Sequence, residues 1–379
     1  MSETLTIALI GCGQIGGSLA LALKASGAAL RIIGYDANPQ HAHVLQEEGA
    51  VDAIALRLPE AVKTADIMLL ATPLRSYAHL VAEAAPYLAA HTIITDVGSV
   101  KGTLMRLRSL LPAHIALVPA HPISGSEQAG PNVARADLFK DKLCVLTPEQ
   151  PEADHNVTII QHLWEAAGAT VRFMPTEVHD QLYAYVSHLP HVIAFAAARQ
   201  FHALGVRIGN DTPILARFLR ISRSNARMWT DVFLENRDAL LQSLDMFVAV
   251  LSHMEKELRS GDAGGGKAVP SDVAARALPH LLASSLISTV SLYEQQSGVI
   301  ARNFSAGGLR DIASPAAESP EDTAAYVSQH ALTVADLLRD AQATLAPLRS
   351  SIDSADEAAL FGLLEAMQAE AIAINHAAH

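Results

Sequence analysis

Cysteines, aromatic side chains and positive charges are all scarce in this chain of 379 residues. The two cysteines, Cys12 and Cys144, lie far apart and lack the spacing of metal ligands, so we expect two buried thiols in a reducing compartment. Lysine and arginine number 27 against 39 aspartates and glutamates, a formal net charge of −12. Because nucleic-acid binding needs a basic surface, this balance argues against a nucleic-acid partner.

The sequence also lacks a long uncharged apolar run and a basic N-terminal start. These absences argue against a membrane-spanning helix and a secretory signal, so we expect a cytoplasmic protein with no membrane contact. Half of the residues are apolar, and few of these are aromatic. Such a composition is typical of a folded protein with buried strands and alanine-rich helices.

A glycine-rich turn lies between the first predicted strand and the first predicted helix. The apolar run LTIALI, residues 5–10, leads into Gly11, Gly13 and Gly16 in a GxGxxG pattern, and LALALKASG then predicts a helix. Gly11 permits a tight turn, Gly13 lets a pyrophosphate approach the backbone, and Gly16 lets the helix pack on the strand. The helix N-terminus offers N–H groups and a positive dipole end to the phosphates.

Asp36 ends the next apolar run, residues 30–35, and lies 20 positions after Gly16 (36 − 16). An acid at this distance accepts hydrogen bonds from the adenosine ribose and repels a 2′-phosphate, so we predict NAD and not NADP as the cofactor. A strand predicted for residues 65–73 ends in Thr72 and Pro73, which would lie against the cofactor. The predicted cofactor-binding residues are Gly11, Gly13, Gln14, Ile15, Gly16, Asp36, Thr72 and Pro73.

Ser99 and His121 follow further predicted strands, at residues 92–97 and 115–118 respectively. Ligands bind at the carboxyl edge of a parallel sheet, where a histidine can take or give a proton near neutral pH. Two plainer interpretations remain open. Ser99 could cap the helix that follows, and His121 could be a surface histidine, one of 17 histidines in the chain.

The remaining pattern of the first domain alternates helices and strands. Helices are predicted at residues 76–88, 104–111 and about 154–167, and strands at 143–146 and 170–173. This alternation is typical of an α/β sheet domain, which we expect to span residues 1–175.

After residue 175 the pattern is helical. Asp180, Tyr183, Ser187 and His191 recur at the spacing of one helical face, and polar groups on an apolar helix need partners or a ligand. Pro190, inside this run, should kink the helix. A set of arginines with helical spacing follows, which favours either a solvated face or an anion site. These arginines are Arg217, Arg220, Arg223 and Arg227.

The last third of the chain resembles the segment before it. Residues 261–270, GDAGGGKAVP, predict a flexible linker. The tetrapeptide ALPH at 277–280 repeats HLPH at 188–191, and GLR at 308–310 repeats FLR at 218–220. We therefore predict a helical domain at 176–260 and a second helical segment at 271–379 that duplicates it.

Several motifs together resemble the prephenate/arogenate (cyclohexadienyl) dehydrogenase family of tyrosine biosynthesis. They are GCGQIGGSLALAL, DVGSVKG, HPISGSE, HDQLYAYVSHLPH, and FLRI followed by MWTDVFLEN. The resemblance implies a Rossmann-type dinucleotide-binding domain followed by an all-helical domain that mediates dimerisation. It implies NAD-dependent oxidative decarboxylation of prephenate, arogenate or both. A homodimer is therefore expected, although a duplicated helical segment could occupy the place of a partner.

The resemblance also assigns roles to individual residues. His121 resembles the catalytic histidine that binds the ring hydroxyl of the substrate, and Ser99 resembles the serine beside it. Arg220 resembles the arginine that holds a substrate carboxylate, and Asp180 resembles an acid near that arginine. The implied substrate-binding residues are Ser126, Ser187, His191, Arg220 and Asp180. No metal is expected.

Two alternative functions remain at this stage. The chain could be an NAD-dependent dehydrogenase of the 3-hydroxyacid or 6-phosphogluconate type, but it lacks the lysine in a glycine-rich helix motif that those enzymes use. It could also be a non-catalytic NAD sensor, against which the pairing of Ser99 with His121 argues.

Overall fold

The computed structural model describes residues 4–28, 30–124, 128–149, 154–207, 213–260, 271–304, 307–313 and 320–376. The chain divides into two compact units, Met1–Asp180 and Gln181–His379. The predicted limit of the first domain, residue 175, lies shortly before this division. The predicted linker, residues 261–270, lies outside the described residues.

The first unit is built on a parallel sheet in the order β3-β2-β1-β4-β5-β6. The strands are β1 (Leu5–Ile10), β2 (Leu30–Tyr35), β3 (Ala53–Ile54), β4 (Ile67–Leu70), β5 (Ile93–Asp96) and β6 (Ala116–Leu117). The direction of strand addition reverses between β1 and β4. Ile10, at the end of β1, lies level with Tyr35 on one side and Leu70 on the other. Three carboxyl ends therefore meet at the reversal point, where sheets of this kind bind ligands.

The helices of the first unit flank this sheet in sequence. They are α1 (Gln14–Ala25), α2 (Pro39–Glu47), α3 (Leu58–Val62), α4 (Tyr77–Ala84), α5 (Lys101–Met105) and α6 (His155–Ala166). A further helix, α7 (Thr176–Tyr183), begins in the first unit and ends just after the division at Asp180. The helices predicted at 76–88 and 104–111 are shorter α-helices, α4 and α5, extended by 3-10 turns. The sequence patterns did not predict α2, β3 or α3. In α2 only Ala42 and Leu45 are buried, which is too little for a periodic apolar signal.

His121 lies in a second sheet of three strands. β7 (Ala120–Pro122) pairs antiparallel with β8 (Leu143–Leu146), and β8 pairs in parallel with β9 (Thr170–Phe173). The predicted bounds of β8 and β9 are confirmed. His121 follows β6 as predicted, but it lies in a strand and not in a loop, because the chain turns after β6 and pairs His121 with Val145.

The core of the first unit is apolar, and both cysteines lie in it. Phe139 and Trp164 meet edge to face, with ring centroids 5.2 Å apart. Cys12 and Cys144 are free and buried, as predicted. Burial raises the pKa of the Cys12 thiol to about 12, with a smaller contribution from Asp36. Such a thiol stays protonated and inert near neutral pH.

The second unit contains helices and no strand in its described residues. The helices are α8 (Leu189–Ala203), α9 (Pro213–Arg220), α10 (Ala226–Glu235), α11 (Arg237–Ser260), α12 (Ser271–Ser297), α13 (Gly307–Ala313), α14 (Pro320–Gln329), α15 (Ala331–Asp353) and α16 (Glu357–His376). The predicted fold class, a Rossmann-type α/β domain followed by an all-helical domain, is therefore confirmed.

A π-helical turn, Ala184–His188, joins α7 to α8. Pro190 lies in the first turn of α8, where a missing backbone N–H costs nothing. The predicted kink is therefore a change of helix type before the proline. The face predicted for Asp180, Tyr183, Ser187 and His191 assumed 3.6 residues per turn throughout, a spacing that the π turn does not keep.

The helix α12 corrects one expectation about membranes. Its segment Val273–Ser297 is long and apolar enough, by length and composition, to cross a membrane, so the expectation that the chain has no such run is wrong. However, 72% of its most apolar window is buried inside the protein. Within this structure α12 is a core helix of the second unit.

Candidate active site

The glycine turn after β1 has the geometry that a bound pyrophosphate requires. Gly11 adopts a φ of +103°, and its N–H donates to the Tyr35 carbonyl at 2.8 Å. A Cβ at Gly11 would lie 2.5 Å from the Ala71 carbonyl oxygen, and one at Gly16 would collide with the Gly11 carbonyl. A Cβ at Gly13, by contrast, would meet nothing within 4 Å. The turn is therefore crowded toward the sheet and open at Gly13, where a ligand would approach.

Asp36 is held by the backbone at the carboxyl end of β2. Its Oδ2 accepts from the Cys12 N–H at 2.7 Å, and its Oδ1 accepts from the Asn38 N–H at 2.8 Å. These bonds fix the carboxylate beside the glycine turn and leave lone pairs on both oxygens for further donors. The arrangement fits recognition of ribose hydroxyls.

The other predicted cofactor residues surround the same reversal point. Gln14 and Ile15 begin α1 and are partly exposed. Thr72 follows β4, and its hydroxyl accepts from Ser76 Oγ at 2.7 Å. Pro73 is exposed beside it. The residues present therefore fit a dinucleotide at this edge of the sheet, with the first turn of α1 facing its phosphates.

A chain of hydrogen bonds runs from His121 through a second histidine to a carboxylate. His121 Nδ1 lies 2.9 Å from His179 Nε2, and His179 Nδ1 lies 2.8 Å from Asp180 Oδ1. His179 is completely buried, whereas His121 is half-buried. All three residues belong to the first unit.

This chain determines where the protons lie. A carboxylate only accepts, so His179 Nδ1 carries the hydrogen and His179 Nε2 carries a lone pair. His121 must then donate from Nδ1, which makes its Nε2 the basic ring nitrogen. Burial, with a smaller effect of Lys101, holds the pKa of His179 well below its ordinary value. His179 is therefore neutral at pH 7, as this arrangement requires.

Asp180 also caps the short helix α5. Its Oδ1 accepts from the Lys101 N–H and its Oδ2 accepts from the Gly102 N–H, both at 2.8 Å. The open alternative that Ser99 caps this helix is wrong, because the N-cap residue is Val100 and the cap comes from Asp180. Ser99 is half-buried just after β5. The two backbone N–H groups at the start of α5 thus fix the Asp180 carboxylate beside His179.

A buried ion pair fixes the backbone immediately before His121. Lys101 Nζ donates to Asp96 Oδ2 at 2.6 Å, and both side chains are fully buried. Lys101 Nζ also donates to the Ala120 carbonyl at 2.5 Å, and Asp96 Oδ1 accepts from the Ala120 N–H at 3.1 Å. The pair therefore clamps both polar groups of Ala120.

Sequence reasoning missed His179, Asp96 and Lys101 as members of this site. Asp96 and Lys101 lie in the DVGSVKG motif, and His179 begins HDQLYAYVSHLPH. The available signal was a charge next to a buried strand, since such a charge must find a partner. The sequence could not name that partner.

Within the second unit, the predicted site residue His191 contacts Ser187 and Trp229. Its Nδ1 donates to the Ser187 carbonyl at 2.8 Å, and its ring stacks on Trp229 with centroids 3.6 Å apart. Burial, with a smaller effect of Arg220, lowers the pKa of His191 to about 4, although the bond to Ser187 opposes this. His191 is therefore neutral at pH 7 and offers Nε2 as an acceptor. The Ser187 side chain is half-buried.

Two arginines of the predicted cluster form ion pairs with acids from further along the chain. Arg220 forms an ion pair with Asp311 of α13, and Arg227 forms one with Glu357 of α16 at 2.8 Å. Half of the Arg220 side chain remains exposed. The Arg217 side chain and all of Ser126 lie outside the described residues. Within those residues, no group of three or more His, Cys, Asp or Glu side chains could hold a metal ion.

Comparison with known proteins identifies the family. Residues 19–173 match "Prephenate dehydrogenase, nucleotide-binding domain", and residues 175–265 and 273–368 match "Prephenate dehydrogenase, dimerization domain". The chain is 35% identical to the cyclohexadienyl dehydrogenase of Zymomonas mobilis over 264 residues, 68% of this chain and 89% of that protein. It is 31% identical to the prephenate dehydrogenase of Bacillus subtilis over 268 residues, 68% of this chain and 71% of that protein.

A solved structure agrees with these matches. The prephenate dehydrogenase from Aquifex aeolicus, in complex with hydroxyphenyl propionate and NAD+, superposes with a TM-score of 0.61. The two sequences are 28% identical, and the match covers 68% of this chain and 91% of that one. The alternative assignment to dehydrogenases of the 3-hydroxyacid or 6-phosphogluconate type therefore falls away. The chain belongs to the prephenate dehydrogenase family.

Proposed function

We propose that this chain catalyses the NAD-dependent oxidative decarboxylation of prephenate, arogenate or both, yielding 4-hydroxyphenylpyruvate or tyrosine. The observation that carries the proposal is the hydrogen-bonded chain from His121 through His179 to Asp180, in a unit whose glycine turn fits NAD. The substrate is a small molecule, and we infer a cytoplasmic enzyme that contacts no membrane or nucleic acid. As a member of this family, the protein is an NAD-dependent oxidoreductase.

The reaction requires few groups from the protein. The substrate ring carries a hydroxyl and a carboxylate on opposite carbons. NAD, held by the glycine turn and Asp36, would supply the acceptor for the hydride that leaves the hydroxyl-bearing carbon. His121 Nε2 takes the hydroxyl proton as the C=O bond forms, which is general-base catalysis. The bond to the carboxylate then breaks, CO2 leaves, and its electron pair makes the ring aromatic. His121 returns the proton to the resulting phenolate oxygen.

His179 and Asp180 position the base. The donor bond from His121 Nδ1 to His179 fixes the tautomer and limits rotation of the His121 ring. The carboxylate of Asp180, reached through His179, stabilises the positive charge that develops on His121 during proton uptake. The Asp96–Lys101 pair fixes the strand that carries the ring. Each group thus lowers the cost of reaching the productive geometry.

The remaining roles follow the family resemblance. We propose that Ser99 binds the ring hydroxyl beside His121, and that Arg220 binds the side-chain carboxylate of the substrate. We assign Ser126, Ser187 and His191 to the substrate pocket. The cofactor positions are Gly11, Gly13, Gln14, Ile15, Gly16, Asp36, Thr72 and Pro73. Asp180 we assign to the support of His121 and not to direct substrate contact.

The decisive experiment is NADH formation by the purified protein with NAD on prephenate and on arogenate in parallel. We expect turnover on at least one substrate, and the ratio of the two kcat/KM values then names the preferred one. NADP in place of NAD should support much weaker turnover, because Asp36 repels a 2′-phosphate. NAD binding without turnover on either substrate would favour the NAD-sensor alternative.

A further inference from the structure

The second unit contains two helical segments with the same order of features. We call residues 181–260 the first segment and residues 271–376 the second segment. Each begins with a helix carrying Leu-Pro-His, α8 or α12, continues with a short helix ending in or containing Leu-Arg, α9 or α13, and reaches a long helix, α11 or α15. Both segments fall within ranges that match the family's dimerization domain.

Several contacts between the segments are reciprocal, whereas α16, which packs against α8 and α10, has no counterpart in the first segment. α8 packs against α15 of the other segment, and α12 packs against α11. α8 also contacts α13, and α12 contacts α9. The matching helices α11 and α15 run against each other. In a two-fold symmetric dimer interface, each contact between one element of the first copy and another element of the second copy recurs with the copies exchanged.

The two segments share one hydrophobic interior. Ile193 of α8 and Phe247 of α11 converge with Leu282 of α12 and Leu345 of α15 around a single apolar space, and all four side chains are buried. Nearby, buried Gln200 donates from Nε2 to the Leu337 carbonyl at 2.9 Å. Interfaces that resemble a domain core cut in half are those of obligate partners.

Polar contacts also cross between the segments. Arg349 binds Asp245 through two hydrogen bonds of 2.6 and 2.9 Å, and Ser252 Oγ donates to Gln342 at 2.6 Å. One such contact reaches a predicted site residue, since Asp311 of the second segment pairs with Arg220 of the first.

We propose that the second segment occupies, within the same chain, the place that a partner subunit's helical domain takes in a dimer. The active enzyme is then a monomer that contains its own dimerization partner. The match to the Zymomonas relative covers 68% of this chain but 89% of that protein, as expected if that protein carries one copy. Asp311 of the second segment positions Arg220 through their ion pair. This last step rests on the proposed substrate role of Arg220, whereas the pairing of the segments does not.

The pairing is tested by mass and by a cross-link in the full chain. Light scattering across the assay concentrations should give one chain of 40.2 kDa. In the variant Ser252→Cys/Gln342→Cys, mild oxidation should join the cysteines within one chain, because these side chains touch and the native cysteines are buried. A mass twice as large, an interchain disulfide, or thiols that stay reduced would each overturn the proposal.

The positioning role of Asp311 is tested separately by kinetics. Asp311→Asn should raise KM about 2- to 5-fold with little change in kcat, as expected for a partly exposed ion pair. Asp311→Glu should restore much of the wild-type KM. The matched control is Asp340→Asn, at an exposed site on α15. An unchanged KM in Asp311→Asn would overturn this role and leave the monomer result to stand by itself. Loss of all turnover in the wild type would instead refute the proposed function.

Discussion

The surroundings of His121 and His191 differ in what lies behind the ring. The Nδ1 atom of His121 faces a neutral imidazole that is itself bound to a carboxylate. The Nδ1 atom of His191 donates to a backbone carbonyl, and its ring is stacked on Trp229 in a buried site. The carboxylate behind His121 stabilises a positive charge on the imidazole, whereas burial of His191 opposes one.

His121, in strand β7, and His191, in helix α8, therefore differ in the chemistry that they can perform. His121 can take up a proton and release it again, because His179 accepts from its Nδ1 and the Asp180 carboxylate lies behind His179. His191 is kept neutral, so it can serve as a hydrogen-bond acceptor but not as a base with a pKa near 7. For these two histidines, the group that is hydrogen-bonded to Nδ1 therefore says more about the role than the residue type does.

The largest expected effect comes from removing the base. His121→Asn should lower kcat by about 10²- to 10⁴-fold with a modest change in KM, because the amide cannot accept the hydroxyl proton. Steady-state NADH formation on the preferred substrate measures both constants. Turnover close to that of the wild type would remove His121 from the mechanism. NAD affinity, followed by fluorescence titration, should stay unchanged and serves as the folding control.

A smaller loss of kcat should follow when the hydrogen-bonded chain from His121 through His179 to Asp180 is interrupted. His179→Leu should lower kcat about 10- to 100-fold, because His121 Nδ1–H loses its acceptor and the ring loses its fixed tautomer. The acid limb of the kcat/KM profile should move to lower pH, since the protonated form of His121 is then less stabilised. The relevant charges around His179 are Asp180 and Lys101.

Two further variants make this test specific. His179→Gln keeps a carbonyl oxygen near the position of Nε2, so it should recover part of the lost kcat. His162→Gln, at an exposed position of α6, should leave kcat and the pH profile unchanged. If His179→Leu kept the wild-type kcat and acid limb, His179 would be no more than a packing residue.

The contrast between the two histidines also shows how far the sequence could lead. β1, β2, β8 and β9 were predicted with the observed bounds. β1, β2 and β8 contain the buried apolar runs that strands inside a sheet show, whereas no residue of β9 is buried. The glycine turn and Asp36 were predictable for a related reason, since their chemistry depends on spacing within one βαβ unit. His121 itself was predicted from its place after a strand.

The relay could not be predicted in this way, because its members are distant in sequence. His121 and His179 are separated by 58 positions, and Lys101 and its cap Asp180 by 79. A periodic pattern reports which face a residue occupies, but it carries no information about which distant residue lies opposite. The π turn defeated the pattern for a second reason, since the rule of 3.6 residues per turn fails where the helix changes type.

The most subtle expected effect concerns His191 and acid. Its pKa is about 4 in the folded protein against an ordinary value of 6.5, so the unfolded chain binds a proton first as the pH falls. The stability from keeping this ring neutral is fully present above about pH 6.5 and is lost as the pH falls toward about 4. His191→Gln lacks this group. As the pH falls from about 7.5 to about 5, the free energy of unfolding of the variant should therefore improve by roughly 2 kcal/mol relative to that of the wild type.

Urea unfolding of both proteins at the two pH values measures this difference. At the higher pH the variant should be the less stable protein, because it loses the stacking on Trp229. His253→Gln, at an exposed site on α11, should show no such dependence on pH. If the stability difference between His191→Gln and the wild type were the same at both pH values, His191 would titrate alike in the folded and unfolded chains. Its assignment as a permanently neutral acceptor, opposite in character to His121, would then be wrong.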